Sequence, residues 1–174
     1  MEQVIKIGFG GSCHWCTEAI FQSLKGVERV EQGWIASQKE KSNFSEAVIV
    51  HFNPEIISLE TLIAVHLHTH SCTSQHSMRS KYRSAIYVFS PEQIKLSQNT
   101  IKVLQSEFDN PIITTVEPFD DFKLNQEVYL DYFYKDPEKP FCKNIVTPTL
   151  RLLLKKFSGA VDQNKLSEGS LNSL

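Results

Sequence analysis

Short apolar–polar alternation opens the chain at Val4-Ile5-Lys6-Ile7-Gly8-Phe9, which reads as a strand. The period then becomes helical, with Cys16, Ile20 and Leu24 on one stripe and Lys25-Gly26 as a stop signal. Residues 27–36 read as a second strand and 37–43 as a polar loop. Residues 44–52 form the clearest strand. Its even positions are Phe44, Glu46, Val48, Val50 and Phe52, so the period of two places Glu46 on the more apolar face. Asn53-Pro54 turns the chain, and Ser58 caps a helix striped by Leu59, Leu62, Ile63, His66 and His70. Residues 71–81 lack any period and read as a long loop, and 83–89 as a strand. Ser90-Pro91-Glu92-Gln93 combines an N-cap, a proline at the first helical position and a capping-box glutamine. That helix is carried by Ile94, Ile101, Leu104 and Phe108. Beyond it the pattern predicts a strand at 112–118, a helix at 124–134, a loop around Cys142 and a basic helix at 150–157.

The order strand–helix–strand–strand–helix–strand up to residue 89 predicts an α/β (α+β) fold. Its core is a ferredoxin-like, split β-α-β unit, with an additional C-terminal strand, helices and long loops around it. Residues 1–157 are expected to form a single domain. From Ser158 the Gly/Ser/Asn/Gln content rises and periodicity fades, so 158–174 is expected to be a flexible tail.

Composition narrows the function. In 174 residues the formal net charge is −2, which argues against a nucleic-acid or membrane surface. No apolar run reaches the length of a membrane span, and Met1-Glu2-Gln3 lacks the basic start of a signal peptide. Four cysteines, at 13, 16, 72 and 142, are too few for a disulfide scaffold at this size. The expectation is a cytoplasmic protein with reduced thiols and either redox or metal chemistry.

The junction Gly10-Gly11-Ser12-Cys13-His14-Trp15-Cys16 concentrates that chemistry. Two glycines permit a sharp turn, Ser12 is a candidate N-cap, and Cys13 then falls in the first helical turn. Free N–H groups and the helix dipole there favour a thiolate, so a lowered Cys13 pKa is expected. Three readings follow. Cys13 and Cys16 form a Cys-x-x-Cys redox pair, against which Cys16 merely fills the buried stripe. Alternatively, Cys13, Cys16 and the run from His66 through His68 and His70 to Cys72 hold a metal, against which these are hydrogen-bonded core histidines. Or Cys13 is a nucleophile with a distant resolving thiol, beside an aromatic wall begun by His14 and Trp15. Glu46, if enclosed, has a partner or a raised pKa and carries a proton at neutral pH; near the strand end it is simply solvated.

The ensemble resembles the type A peptide methionine sulfoxide reductase family. That family's Gly-Cys-Phe-Trp-Gly signature is similar to Ser12-Cys13-His14-Trp15-Cys16, followed here by Gly26-Val27 and Gly33-Trp34. Its Glu-Ala-Val strand matches Glu46-Ala47-Val48. Its Gln-Tyr-Arg-Ser-Ala-Ile-Tyr block is nearly intact as Lys81-Tyr82-Arg83-Ser84-Ala85-Ile86-Tyr87. A C-terminal Tyr-Cys before a Pro-x-Leu helix is similar to Phe141-Cys142 and Pro148-Thr149-Leu150. This sequence departs at Trp34 for an active-site tyrosine, Phe44 for a histidine, Ser77 for a loop aspartate and His14 for phenylalanine.

The resemblance implies that Cys13 attacks the sulfur of methionine S-sulfoxide, free or in proteins, while Glu46 protonates the oxygen. Tyr82 would hydrogen-bond that oxygen, and Trp15, His14, Trp34 and Ser77 would line the substrate site. It implies a sulfenic acid on Cys13, resolved by Cys142 with Cys16 as local rival and Cys72 as remote one, and reduction by a thioredoxin-like dithiol protein. No metal or organic cofactor is called for, and a monomer is expected. The alternatives are a divergent relative with altered or lost catalysis and a Cys-x-x-Cys thiol–disulfide oxidoreductase.

Overall fold

The first alternation folds as β1 (Ile5–Gly10), which leads into α1 (His14–Gln22), β2 (Val27–Ser37) and β3 (Glu40–Phe52). The computed structural model describes residues 3–168. α2 (Leu59–His68) starts where Ser58 Oγ accepts the Thr61 N–H at 3.1 Å. β4 (Ala85–Val88) and α3 (Pro91–Leu104) complete the split unit. Ser90 caps α3 by accepting from Gln93 N–H, and Gln93 Oε1 accepts in return from Phe89 N–H at 2.8 Å.

β3 lies antiparallel between β1 and β2, and β4 runs antiparallel on the other edge of β1. This is the expected core. β5 (Thr115–Leu124) then pairs antiparallel with β2 and parallel with β4, and so closes the sheet into a five-stranded barrel. Closure leaves no unpaired edge on which another strand can add. Both faces of β3 are therefore buried. Val48, Val50 and Phe52 join Ile7, Phe9 and the apolar stripes of α1 and α2 in the larger core. Ala47 and Ile49 pack with Ile35, Ala85 and Tyr87 in a second, smaller cluster. That cluster leaves no room at Gly8, where a Cβ would sit 2.8 Å from Cβ of Tyr87.

Several expectations are corrected. The 37–43 loop is instead a tight hairpin, its polar residues continuing the ladder with Ser37 opposite Glu40. Residues 124–134 are not one helix. β5 runs to Leu124, a 3-10 turn covers Glu127–Tyr129, and α4 (Tyr132–Lys135) is one turn long. The break sits at Asp131, whose φ is 52°, and buried Glu18 accepts the N–H groups of Asp131 and Tyr132 at 3.1 Å each. Cys142 lies not in a loop but in a π-helical turn (Cys142–Val146) that runs into α5 (Thr147–Phe157).

The chain from Ser158 is packed where a loose tail was expected. Val161 bridges to Leu24 and is fully buried, and α6 (Gln163–Glu168) follows. Lys165 Nζ donates to the carbonyls of Leu24 and Val27 beyond the end of α1. Residues 169–174 of the expected tail lie outside the described residues. Among the described residues no helix is long and apolar enough to cross a membrane.

Candidate active site

The turn before α1 is held from beneath by α2 and the loop after it. His66, 2% exposed, places Nε2 at 2.7 Å from the Gly10 carbonyl. His70 bonds the His66 carbonyl through Nδ1 and Ser84 Oγ through Nε2. Its ring lies so close to Gly11, whose φ is +150°, that any Cβ there would collide with it. Arg79 donates to the carbonyls of Gly11, Ser71, Ser74 and Tyr82 and so ties the 71–82 loop to the same turn. His66 and His70 thus serve as hydrogen-bonded scaffold. Among the described residues the metal grouping of Cys13, Cys16, His66, His68, His70 and Cys72 does not assemble.

This framework presents Cys13 at the start of α1. Cys13 itself is the N-cap, one residue later than expected, while Ser12 Oγ bonds Thr17 Oγ1 at 3.1 Å. The N–H groups of Trp15 and Cys16 do favour the thiolate, as the sequence suggests. Burial nevertheless prevails and, with the nearby Glu46 carboxylate, pushes the Cys13 pKa up to about 11. The expected low resting pKa is therefore corrected: the surroundings of Cys13 favour the thiol.

Glu46 reaches this sulfur from β3, where it pairs with Trp34 of β2 and is 7% exposed. Sγ of Cys13, a ring nitrogen of His14 and a carboxylate oxygen of Glu46 all lie within 4.8 Å of one another. Glu46 Oε2 accepts the His14 N–H at 3.2 Å, and Oε1 stands 3.8 Å from Lys81 Nζ. Burial raises the Glu46 pKa against the lowering effects of His14 N–H and Lys81. The acid is thus enclosed, with partners, and biased toward keeping its proton. Such donor spacing also suits a metal ion, but the Lys81 ammonium beside Glu46 opposes a second cation.

Trp15 heads an aromatic wall, stacked on Tyr132 at 3.9 Å and meeting Phe141 edge-on at 5.4 Å. Trp34 packs edge-on against His14 at 5.2 Å. Tyr82 opens onto a cleft of about 410 Å³ that also touches Cys13, Cys16, His76, Met78, Phe141 and Ile145; Glu46 is not part of its lining. Ser77 is exposed on a 3-10 turn, and its neighbours His76 and Met78 reach the cleft in its place. The four cysteines are free thiols. Cys16 interacts electrostatically with both Cys13 and Cys142, whereas Cys72 interacts with Arg79.

Sequence reasoning missed Lys81, Glu18, Gln32 and Asn125. Lys81 had a signal, since it replaces glutamine in an otherwise matching block. Glu18 holds the segment carrying Tyr132 through two backbone N–H groups, and burial raises its pKa to about 7. A folded-state pKa above the unfolded one gives stability that is complete below the unfolded value near 4.5 and lost as pH rises through about 7. Thermal unfolding between pH 4 and 8 should show this decline, on the order of 3 kcal/mol, and Glu18→Gln should flatten it.

Comparison with known proteins agrees with this architecture. A family model described as peptide methionine sulfoxide reductase matches residues 5–160. The MsrA of Trichodesmium erythraeum is 32% identical over 171 residues, 89% of this chain and 97% of its own. The MsrA 1 of Rhodopirellula baltica is 29% identical, over 87% of this chain and 86% of its own. Among solved structures, reduced Mxr1 of Saccharomyces cerevisiae superimposes with a TM-score of 0.72 at 22% identity, over 80% of this chain and 90% of its own. Mxr1 has also been crystallised with Trx2, and that copy gives a TM-score of 0.60 at 21% identity, over 72% of this chain and 83% of its own. A half-buried thiol at a strand–helix turn beside an enclosed acid suits thiol-based redox chemistry. The chain belongs to the peptide methionine sulfoxide reductase family.

Proposed function

We propose that this protein reduces methionine S-sulfoxide to methionine, with Cys13 as nucleophile and Glu46 as general acid. The single observation behind this is the approach of a carboxyl oxygen of buried Glu46 to within 4.8 Å of the half-buried Cys13 Sγ. The Cys13 sulfur attacks the sulfoxide sulfur with its electron pair as the Glu46 proton passes to the sulfoxide oxygen. The sulfoxide S–O bond breaks with its electron pair on the departing hydroxyl, which bonds to the Cys13 sulfur as the new S–S bond breaks. Methionine leaves with the S–S electron pair, reduced by two electrons, and Cys13 is oxidised by two to a sulfenic acid. Tyr82, facing the cleft at Cys13, hydrogen-bonds the oxygen. Trp15, with its stacked partners, and Trp34 enclose the S-methyl group.

A second thiol then attacks the Cys13 sulfur, water leaves, and the resulting disulfide is reduced by a thioredoxin-like dithiol protein. Cys142 is assigned this role. Its neighbourhood includes Cys16, and it sits in a π-helical turn, a strained form common at functional sites. Cys142→Ser should retain turnover with dithiothreitol and lose it with thioredoxin. Thioredoxin-supported turnover that persists would hand the resolving role to Cys16. Four unpaired thiols suit a reducing compartment, and we place the protein in the cytoplasm on that ground.

A further inference from the structure

One buried polar atom at the Cys13 site is unused by the reduction described above. His14 is 4% exposed, and its Nδ1 has no hydrogen-bond partner among the described residues. Its proton is assigned from the far side of the ring. Gln32, fully buried, donates from Nε2 to the Tyr129 carbonyl at 2.9 Å, so Gln32 Oε1 faces Asn125 and accepts from Asn125 Nδ2 at 2.6 Å. Asn125 Oδ1 meanwhile accepts the Gln126 N–H at 2.8 Å. The same Asn125 Nδ2 stands 3.5 Å from His14 Nε2, which must therefore act as acceptor. A neutral imidazole that accepts at Nε2 carries its proton on Nδ1. Burial keeps the ring neutral, holding its pKa down to about 4.

That Nδ1–H stands 3.9 Å from Glu46 Oε2, too far for a direct bond. An oxygen atom about 2.8 Å from each would bridge that gap; His14, like Glu46, stands behind the lining of the cleft at Cys13. We propose that His14 donates from Nδ1 to the sulfoxide oxygen, as a second donor beside the Glu46 carboxyl, with Gln32 and Asn125 as positioning residues that set its tautomer. The assignment rests on the reductase reading of Cys13 and Glu46 and adds a donor to it. As the sulfur is attacked, negative charge builds on the oxygen before the proton arrives. A fixed N–H aimed there in a dry site lowers the barrier. Trp34, edge-on to the ring, limits its rotation.

His14→Phe keeps an aromatic ring against Trp34 and removes the donor. It should lower kcat for methionine S-sulfoxide by about 10²–10³-fold with a smaller change in KM. Asn125→Asp offers Nε2 only an acceptor, so it should draw the proton to Nε2, leave Nδ1 bare toward the oxygen and produce a comparable loss. Nitrogen NMR of imidazole-labelled protein should show the proton on Nδ1 in the wild type and on Nε2 in Asn125→Asp. A wild-type ring protonated on Nε2, or His14→Phe turnover within about threefold of wild type, overturns the proposal alone. A wild-type protein with no sulfoxide turnover overturns the reductase reading itself, and the His14 role with it.

Discussion

Glu46→Gln is expected to lower sulfoxide turnover by about 10²–10⁴-fold, the usual cost of losing a general acid, while making resting Cys13 easier to alkylate. The two effects have opposite signs because Glu46 acts on Cys13 in two ways. As a carboxylate it repels the thiolate and helps raise the Cys13 pKa. As a carboxylic acid it supplies the proton without which the sulfoxide oxygen has no way to depart. Glutamine keeps the shape and an acceptor for the His14 N–H, so the turn is preserved. It removes both the repulsion and the proton. Iodoacetamide kinetics and sulfoxide turnover measured on the same samples separate these effects, and a merely structural Glu46 would move both in the same direction.

Cys13→Ser is expected to abolish sulfoxide reduction, leaving only background, with free or peptide methionine sulfoxide and dithiothreitol. Serine has neither the soft electron pair that attacks sulfur nor a sulfur to carry the oxygen away. The raised thiol pKa sharpens this expectation. At about 11, a resting Cys13 is thiolate in only about one molecule in 10⁴ at pH 7. Its alkylation without substrate should therefore climb about tenfold per pH unit until the pH approaches that value. Substrate is the natural trigger. Once Glu46 shares its proton with a bound sulfoxide oxygen, the oxygen and sulfur become more electron-poor beside the thiol, and the Cys13 proton is easier to lose. Turnover near neutral pH thus belongs to the bound complex, not to an activated free cysteine.

Much of this was readable from local pattern. Period two in β3 put Glu46 on the helix-facing side with Val48, Val50 and Phe52, and a paired carboxyl among them follows from burial alone. The Gly10-Gly11 turn, the Ser58 and Ser90 caps and the split β-α-β order are short-range signals, and each is observed. What escaped depends on contacts distant in sequence. Closure by β5 requires a strand to meet β2 and β4 together, and a strand's own alternation does not say which edges it joins. The break in residues 124–134 is imposed by Glu18, more than 100 positions earlier. The Cys13 pKa was misjudged because helix position is local whereas desolvation comes from the whole fold.

A single turnover without reductant tests Cys13 as the nucleophile that takes up the sulfoxide oxygen most directly. Protein with Cys16→Ser and Cys142→Ser, mixed with methionine S-sulfoxide and dimedone, should release one methionine per chain and carry the sulfenic-acid adduct on Cys13 by mass spectrometry. No methionine release, or an adduct on Cys72 with Cys13 unmodified, would contradict the account.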